Sequence, residues 1–170
     1  MPTVSKKIQL IEDWIEQNML AGKMGLIRLL CTEDDELSYY RCTIQGRRYK
    51  QFGIHRASDG FRVTHLKTGC RVEVAFSSES AARRFVSGIT PFTDWMKIKL
   101  IDDDTSNLPD DVRTLCLEMK DYCLGKRGPF PNLTEYLRSQ LPPDETVEFE
   151  PQRTKFGGSK FKAQKPKSWA

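Results

Sequence analysis

The sequence predicts an α+β fold. An antiparallel meander sheet of five or six strands is packed by an N-terminal helix and by two or three C-terminal helices, and a basic tail follows. Three observations point there. Between residues 24 and 76, β-branched and aromatic runs alternate with short Gly-containing turns. No connection among them holds the dozen or more residues that a parallel crossover needs, so the strands are antiparallel. The flanks, residues 5–20 and 77–141, carry apolar residues at three- and four-residue spacing, as helices with one buried face do.

In chain order, Ser5–Leu20 reads as a helix, with Ile8, Ile11, Trp14 or Ile15, and Met19 on one side. Ser5 is its expected N-cap and Gly22 its stop. Met24–Cys31 is a short apolar run suited to a buried strand, and the acidic Glu33–Glu36 is a turn. Tyr39–Ile44 is a strand that Gly46 ends, and Tyr49–Arg56 is the next. Asp59-Gly60 is a strong hairpin signal between that strand and Phe61–Leu66. Lys67-Thr68-Gly69 turns into a fifth strand at Cys70–Phe76. Ser77–Ile89 is a helix capped by Ser77 or Ser78. Pro91–Ile101 is either a further strand, by the alternation of Met96, Ile98 and Leu100, or a helical turn. Leu108–Leu124 is a helix with Pro109, Asp110 and Asp111 in its first turn and Gly125 beyond its end. Asn132–Leu141 is a short helix with Asn132 and Glu135 at capping-box spacing. Residues 1–141 thus make the α+β domain. Residues 142–170 make an extended tail, expected to stay disordered until it meets a partner.

The net charge of +4 is unevenly spread. Residues 41–84 carry 10 bases and 3 acids, whereas residues 85–152 carry 7 bases and 13 acids. The last 18 residues carry 6 bases, no acid, two Phe and one Trp. Such asymmetry marks contact with a polyanion. No run of about 18 apolar residues occurs, which excludes a membrane-spanning helix in the sequence as read. Neither the N-terminal sequence nor the odd count of five cysteines, none in a CxxC pair, resembles a secreted disulfide protein. A cytoplasmic location follows as the expectation.

Period-2 alternation assigns the two faces of the sheet. Tyr40, Cys42, Ile44, Phe52, Ile54, Phe61, Val63, Val72, Val74 and Phe76 are expected inward. Tyr39, Arg41, Tyr49, His55, Arg62 and Arg71 are expected outward, with Arg47, Arg48 and Lys50 at a turn edge. Cations neutralise phosphates and tyrosines stack bases, so this face is a candidate nucleic-acid surface. The same face is equally a solvated one that meets the chain's own acidic helices. The tail continues the candidate path with Arg153, Lys155, Phe156, Lys160, Phe161, Lys162, Lys165, Lys167 and Trp169.

Motifs for chemistry are sparse. His55 and His65 lie on strands with Cys70 near them, but neither stands in a metal-spaced motif and no third group orients a dyad. His65 shares the inward face and reads as a hydrogen-bonded structural histidine. Asp102–Asn107 begins like a calcium loop, then has Asn107 where glycine is needed and Arg113 where glutamate is needed. Cys116 and Cys123 share one helix face and are explained by packing. The sequence therefore points to a non-enzymatic accessory factor, without cofactor or metal, that binds nucleic acid through the basic sheet face and tail. The alternative is an inhibitor or adaptor that docks on a larger complex through its tail and acidic helices.

Overall fold

The computed structural model describes residues 2–32, 39–102 and 105–141. The elements in order are α1 (Pro2–Gln17), β1 (Lys23–Thr32), β2 (Tyr39–Tyr49), β3 (Phe52–Ala57), β4 (Gly60–His65) and α2 (Glu79–Ile89). After two 3₁₀ turns come the small hairpin β5 (Leu100–Asp102) and β6 (Thr105–Ser106), then α3 (Asp110–Cys123) and α4 (Pro131–Ser139). The class is α+β: four helices and a four-stranded antiparallel sheet of order β1-β2-β3-β4. None of these helices is long and apolar enough to cross a membrane.

The strand count is smaller than expected, for a physical reason. Residues 70–76 do run antiparallel to β4, but only through single bridges, Thr64 with Arg71 and Phe61 with Phe76. One residue of β4, Arg62, lies between its Val63 and Phe61 contacts, while three of the partner lie between Val72 and Phe76. The surplus forms a bulge, and Arg62 fills it: its Nη1 donates to Val72 O at 3.3 Å and to Glu73 O at 2.7 Å. The bulge still leaves Val72 and Phe76 fully buried. Of the two readings of Pro91–Ile101 the helical turn is the one found, as a 3₁₀ turn at Trp95–Lys97, and β5 beyond it pairs only with β6.

Two expected termini also moved. The first helix begins at Pro2 rather than Ser5, as proline's fixed φ allows in a first turn. α4 begins at Pro131, with no side-chain cap from Asn132. Glu118 of α3 replaces it: Oε1 accepts from Leu133 N and Oε2 from Asn132 Nδ2, both at 2.8 Å. Ser78 caps α2 as expected, accepting from Ala81 N at 3.1 Å.

One face of the sheet forms the main core. Tyr49, Phe52, Ile54 and Val63 meet Ala82, Phe85, Val86 and Ile89 of α2, with Leu115, Cys116 and Met119 of α3 behind. Gly88 lies where α2 passes α3, and the end of the Met119 side chain packs into the space a Cβ would take, its Cε 2.7 Å from that position. Trp95 stacks edge-on against Phe52 at 4.9 Å and donates to Ile89 O. Three helices are tied at Glu12, whose Oε2 accepts from Arg84 at 2.5 Å and from the Tyr122 hydroxyl. Burial raises the Glu12 pKa, but the Arg84 and Tyr122 hydrogen bonds outweigh it and hold the carboxylate below its usual value.

The other face is closed by the sheet itself. β2 does not end at Gly46 but runs on to Tyr49, and a two-residue turn at Lys50-Gln51, with Lys50 at φ 53°, leads into β3. Pairing of β2 with β3 covers only Arg47–Tyr49 against Phe52–Ile54. Beyond that the β1–β2 ribbon bends at the paired glycines Gly25 and Gly46 and folds back over β3 and β4. A Cβ on Gly46 would lie 2.4 Å from Ile54 O, so only glycine lets β2 cross there. Ile27, fully buried, lies over Gly53, where an added Cβ would meet its Cγ1 and Cδ1 at 2.7 Å. At the far end Leu30 N donates to Gly69 O at 2.9 Å, joining β1 to the loop that follows β4. The sheet's two edges are thus brought together, over a small second core of Ile27 and Leu29.

Candidate nucleic-acid interface

The bend decides which residues reach solvent. In a two-stranded ribbon, cross-strand partners share a face. Met24 pairs with Arg47, Leu26 with Gln45 and Arg28 with Thr43, and all six are exposed. Met24 is 58% and Leu26 60% exposed, high values for apolar side chains. Gly25, Ile27 and Leu29 alternate with them and turn toward β3 and β4. β1 is therefore not the buried strand expected from its apolar run. Arg28 interrupts that run at the period-2 position shared with Met24 and Leu26, and that was the available signal.

Along the described residues of β1, β2 and the turn, from 23 to 32 and 39 to 50, stand six bases and no acid. Lys23, Arg28, Arg48 and Lys50 are exposed, and among the described residues none has an ion pair. Arg47 is exposed but bridges Glu79 of α2 at 3.0 Å. The acids of this segment, Glu33–Glu36, lie outside the described residues.

Two clefts border the ribbon. One, of about 360 Å³, is lined by Leu26, Arg28, Thr43, Arg48 and Leu66. The other, of about 390 Å³, lies between β2 and the start of α2, and its walls include Arg47, Tyr49, Glu79 and Arg83. In the second cleft the cations are engaged: Arg47 on Glu79, and Arg83 Nε on Leu20 O at 2.7 Å.

The remaining expected residues fall in different places. Tyr49 was expected outward but is 3% exposed, because its ring packs under Gly22 in the main core. Burial, then Glu79, raise its pKa. His55 was expected outward but is 5% exposed, because the bent ribbon covers that face at Gly46. Burial, with Arg71 and Arg62 nearby, pushes its pKa down, and its Nδ1 has no partner among the described residues. Arg62 is spent on Asp59 and on the bulge carbonyls. Arg71 is exposed on the strip beyond β4. Tyr39 and Arg41 lie on β2, in register with Thr32 and Leu30. The tail residues Arg153, Lys155, Phe156, Lys160, Phe161, Lys162, Lys165, Lys167 and Trp169 lie outside the described residues.

Among the described residues the histidines and the cysteines Cys116 and Cys123 are buried or engaged. His65 is 1% exposed, with both ring nitrogens engaged, Nδ1 with Thr68 Oγ1 at 3.0 Å and Nε2 with Trp95 O at 2.9 Å. Burial lowers its pKa. The Cys116 thiol is raised far by burial, and Cys123 to about 12. Among the described residues no group of three or more His, Cys, Asp or Glu is placed to hold a metal ion. Comparison with protein-family models, curated proteins and solved structures finds no match for this chain.

Proposed function

We propose that this chain is a non-enzymatic, nucleic-acid-associated binding protein whose contact surface is the exposed cationic half of the β1–β2 ribbon with its turn. One observation carries the reading: four exposed cations, Lys23, Arg28, Arg48 and Lys50, stand along this half and its turn without an acid partner among the described residues. Unpaired cations held on a rigid scaffold are what a phosphate backbone selects, since each contact releases condensed counterions. Two of the four are arginines, whose planar forks suit phosphate oxygens. The tail's six bases and three aromatic rings would extend the same path.

A second reading draws on Met24 and Leu26. Exposed Met and Leu beside arginine also make the centre of a protein interface, here for an acidic partner. Affinity purification of the full chain, with and without nuclease, separates the two. Nucleic acid that co-purifies, and is lost when Arg28 and Arg48 are both changed to Glu, supports the first reading. A partner protein retained after nuclease treatment, and lost with the same changes, overturns it in favour of the second.

A further inference from the structure

The ribbon carries more than phosphate contact requires. Phosphates need cations alone, yet the cleft beside β1 is lined by the leucines Leu26 and Leu66 together with the arginines Arg28 and Arg48. At about 360 Å³ it falls in the size range of small-ligand clefts. We infer that this cleft takes an unstacked base of single-stranded nucleic acid, with the flanking phosphates on Arg28 and Arg48. The inference rests on the nucleic-acid reading above and narrows it to one substrate class.

Two features exclude the duplex alternatives. A free two-stranded ribbon can enter a major groove. This one folds back, with Ile27 over Gly53 and Leu30 bonded to Gly69, so its inner face is sealed against β3 and β4. The outer face and the cleft at its border, where Arg48 and Leu66 close it, are what is offered, and a duplex presents there phosphates but no base faces. Leu26 at 60% exposure would then stay wet, with nothing apolar to cover it. An unpaired strand brings its bases' apolar faces to the cleft, and guanidinium planes are themselves good stacking surfaces for bases. Thr43 supplies a hydroxyl that hydrogen-bonds any base edge, so weak sequence preference is the natural consequence.

The test is fluorescence anisotropy on the full chain with two labelled probes, dT12 and a blunt duplex of equal length, and two competitors, inorganic polyphosphate and polyglutamate. The single strand is expected to bind at least tenfold tighter than the duplex and to resist displacement by polyphosphate of equal charge. Leu26→Ser, a change at an exposed side chain, is expected to weaken dT12 binding about five- to tenfold, as loss of one base contact does, with the salt dependence unchanged. Duplex binding as tight as the single strand, or a Leu26→Ser variant of unchanged affinity, overturns the single-strand inference and leaves phosphate binding standing. Equal displacement by polyphosphate or by polyglutamate overturns it too, the latter in favour of an acidic protein. Absence of binding to every probe overturns the nucleic-acid reading as well.

Discussion

Replacing Gly46 by alanine tests whether the ribbon truly folds over β3. In an open strand the change would be favourable, because glycine in a strand interior costs about 0.5–1 kcal/mol relative to alanine. At Gly46 the new methyl meets Ile54 O at 2.4 Å, Ile27 Cδ1 at 2.6 Å and His55 Cβ at 3.1 Å. The first of these is backbone in a paired strand and cannot rotate away. Overpacking of a filled site costs about 1–3 kcal/mol, and a backbone partner puts this site at the upper end. After the favourable glycine term is deducted, the net loss is about 2 kcal/mol, equivalent to a fall in Tm of about 4–8 °C for a chain of this length. Thermal unfolding followed by circular dichroism reads it. Hydrogen exchange adds a local check, since the Leu30 amide should lose protection as the ribbon lifts from Gly69. A Gly46→Ala protein that melts at or above the parent temperature would refute the folded-back ribbon, since the sign itself would be wrong.

Other outcomes follow from the buried polar groups. His55 and His65 are both held below their ordinary pKa of 6.5 by burial, so the folded state disfavours their protonation. Stability is then fully present above pH 6.5 and is lost as pH falls below it toward the folded-state values, at up to about 2.7 kcal/mol per pH unit if both contribute. Urea midpoints at pH 7.5, 6.5 and 5.5 should show this decline, and His65→Gln should flatten it; a midpoint independent of pH would contradict the burial of both rings. Glu12→Ala removes the acceptor shared by Arg84 and Tyr122 and should cost about 1.5–3 kcal/mol, as loss of charge-assisted hydrogen bonds does. A denaturant midpoint unchanged by that substitution would show that α1, α2 and α3 are not tied there.

The helices were legible because their cues are local. Apolar spacing, the Ser78 cap and the Pro109 start all act within a turn or two of the chain, and each is found where expected. Alternation along β3 and β4 placed Phe52, Ile54 and Val63 in the core correctly. The faces went wrong where distant segments meet. His55 alternates as an outward residue should, and it is buried only because β2 crosses above it at Gly46. That glycine looked like a terminator, whereas it is the bend in the middle of a strand. Likewise nothing near Asn132 announces that Glu118, on another helix, caps α4 in its place. For the candidate surface, Arg47, Arg48 and Lys50 were expected at an exposed edge, and their exposure is what the structure shows. Arg28, Met24 and Leu26 were hidden in an apolar run whose burial depends on the ribbon's curl.

The central claim is that the ribbon's free cations hold a phosphate backbone. The salt dependence of dT12 binding, compared between the full chain and its Arg28→Ala/Arg48→Ala variant, tests it most directly. Each phosphate contact on a single strand contributes about 0.7 to the slope of log affinity against log salt. The two arginines therefore account for a slope difference of about 1.4, and the tail, being the same in both proteins, leaves that difference unchanged. Between 50 and 200 mM salt the parent is expected to lose about sevenfold more affinity than the variant. Equal slopes for the two proteins would contradict the account and leave the ribbon's cations without a phosphate to hold.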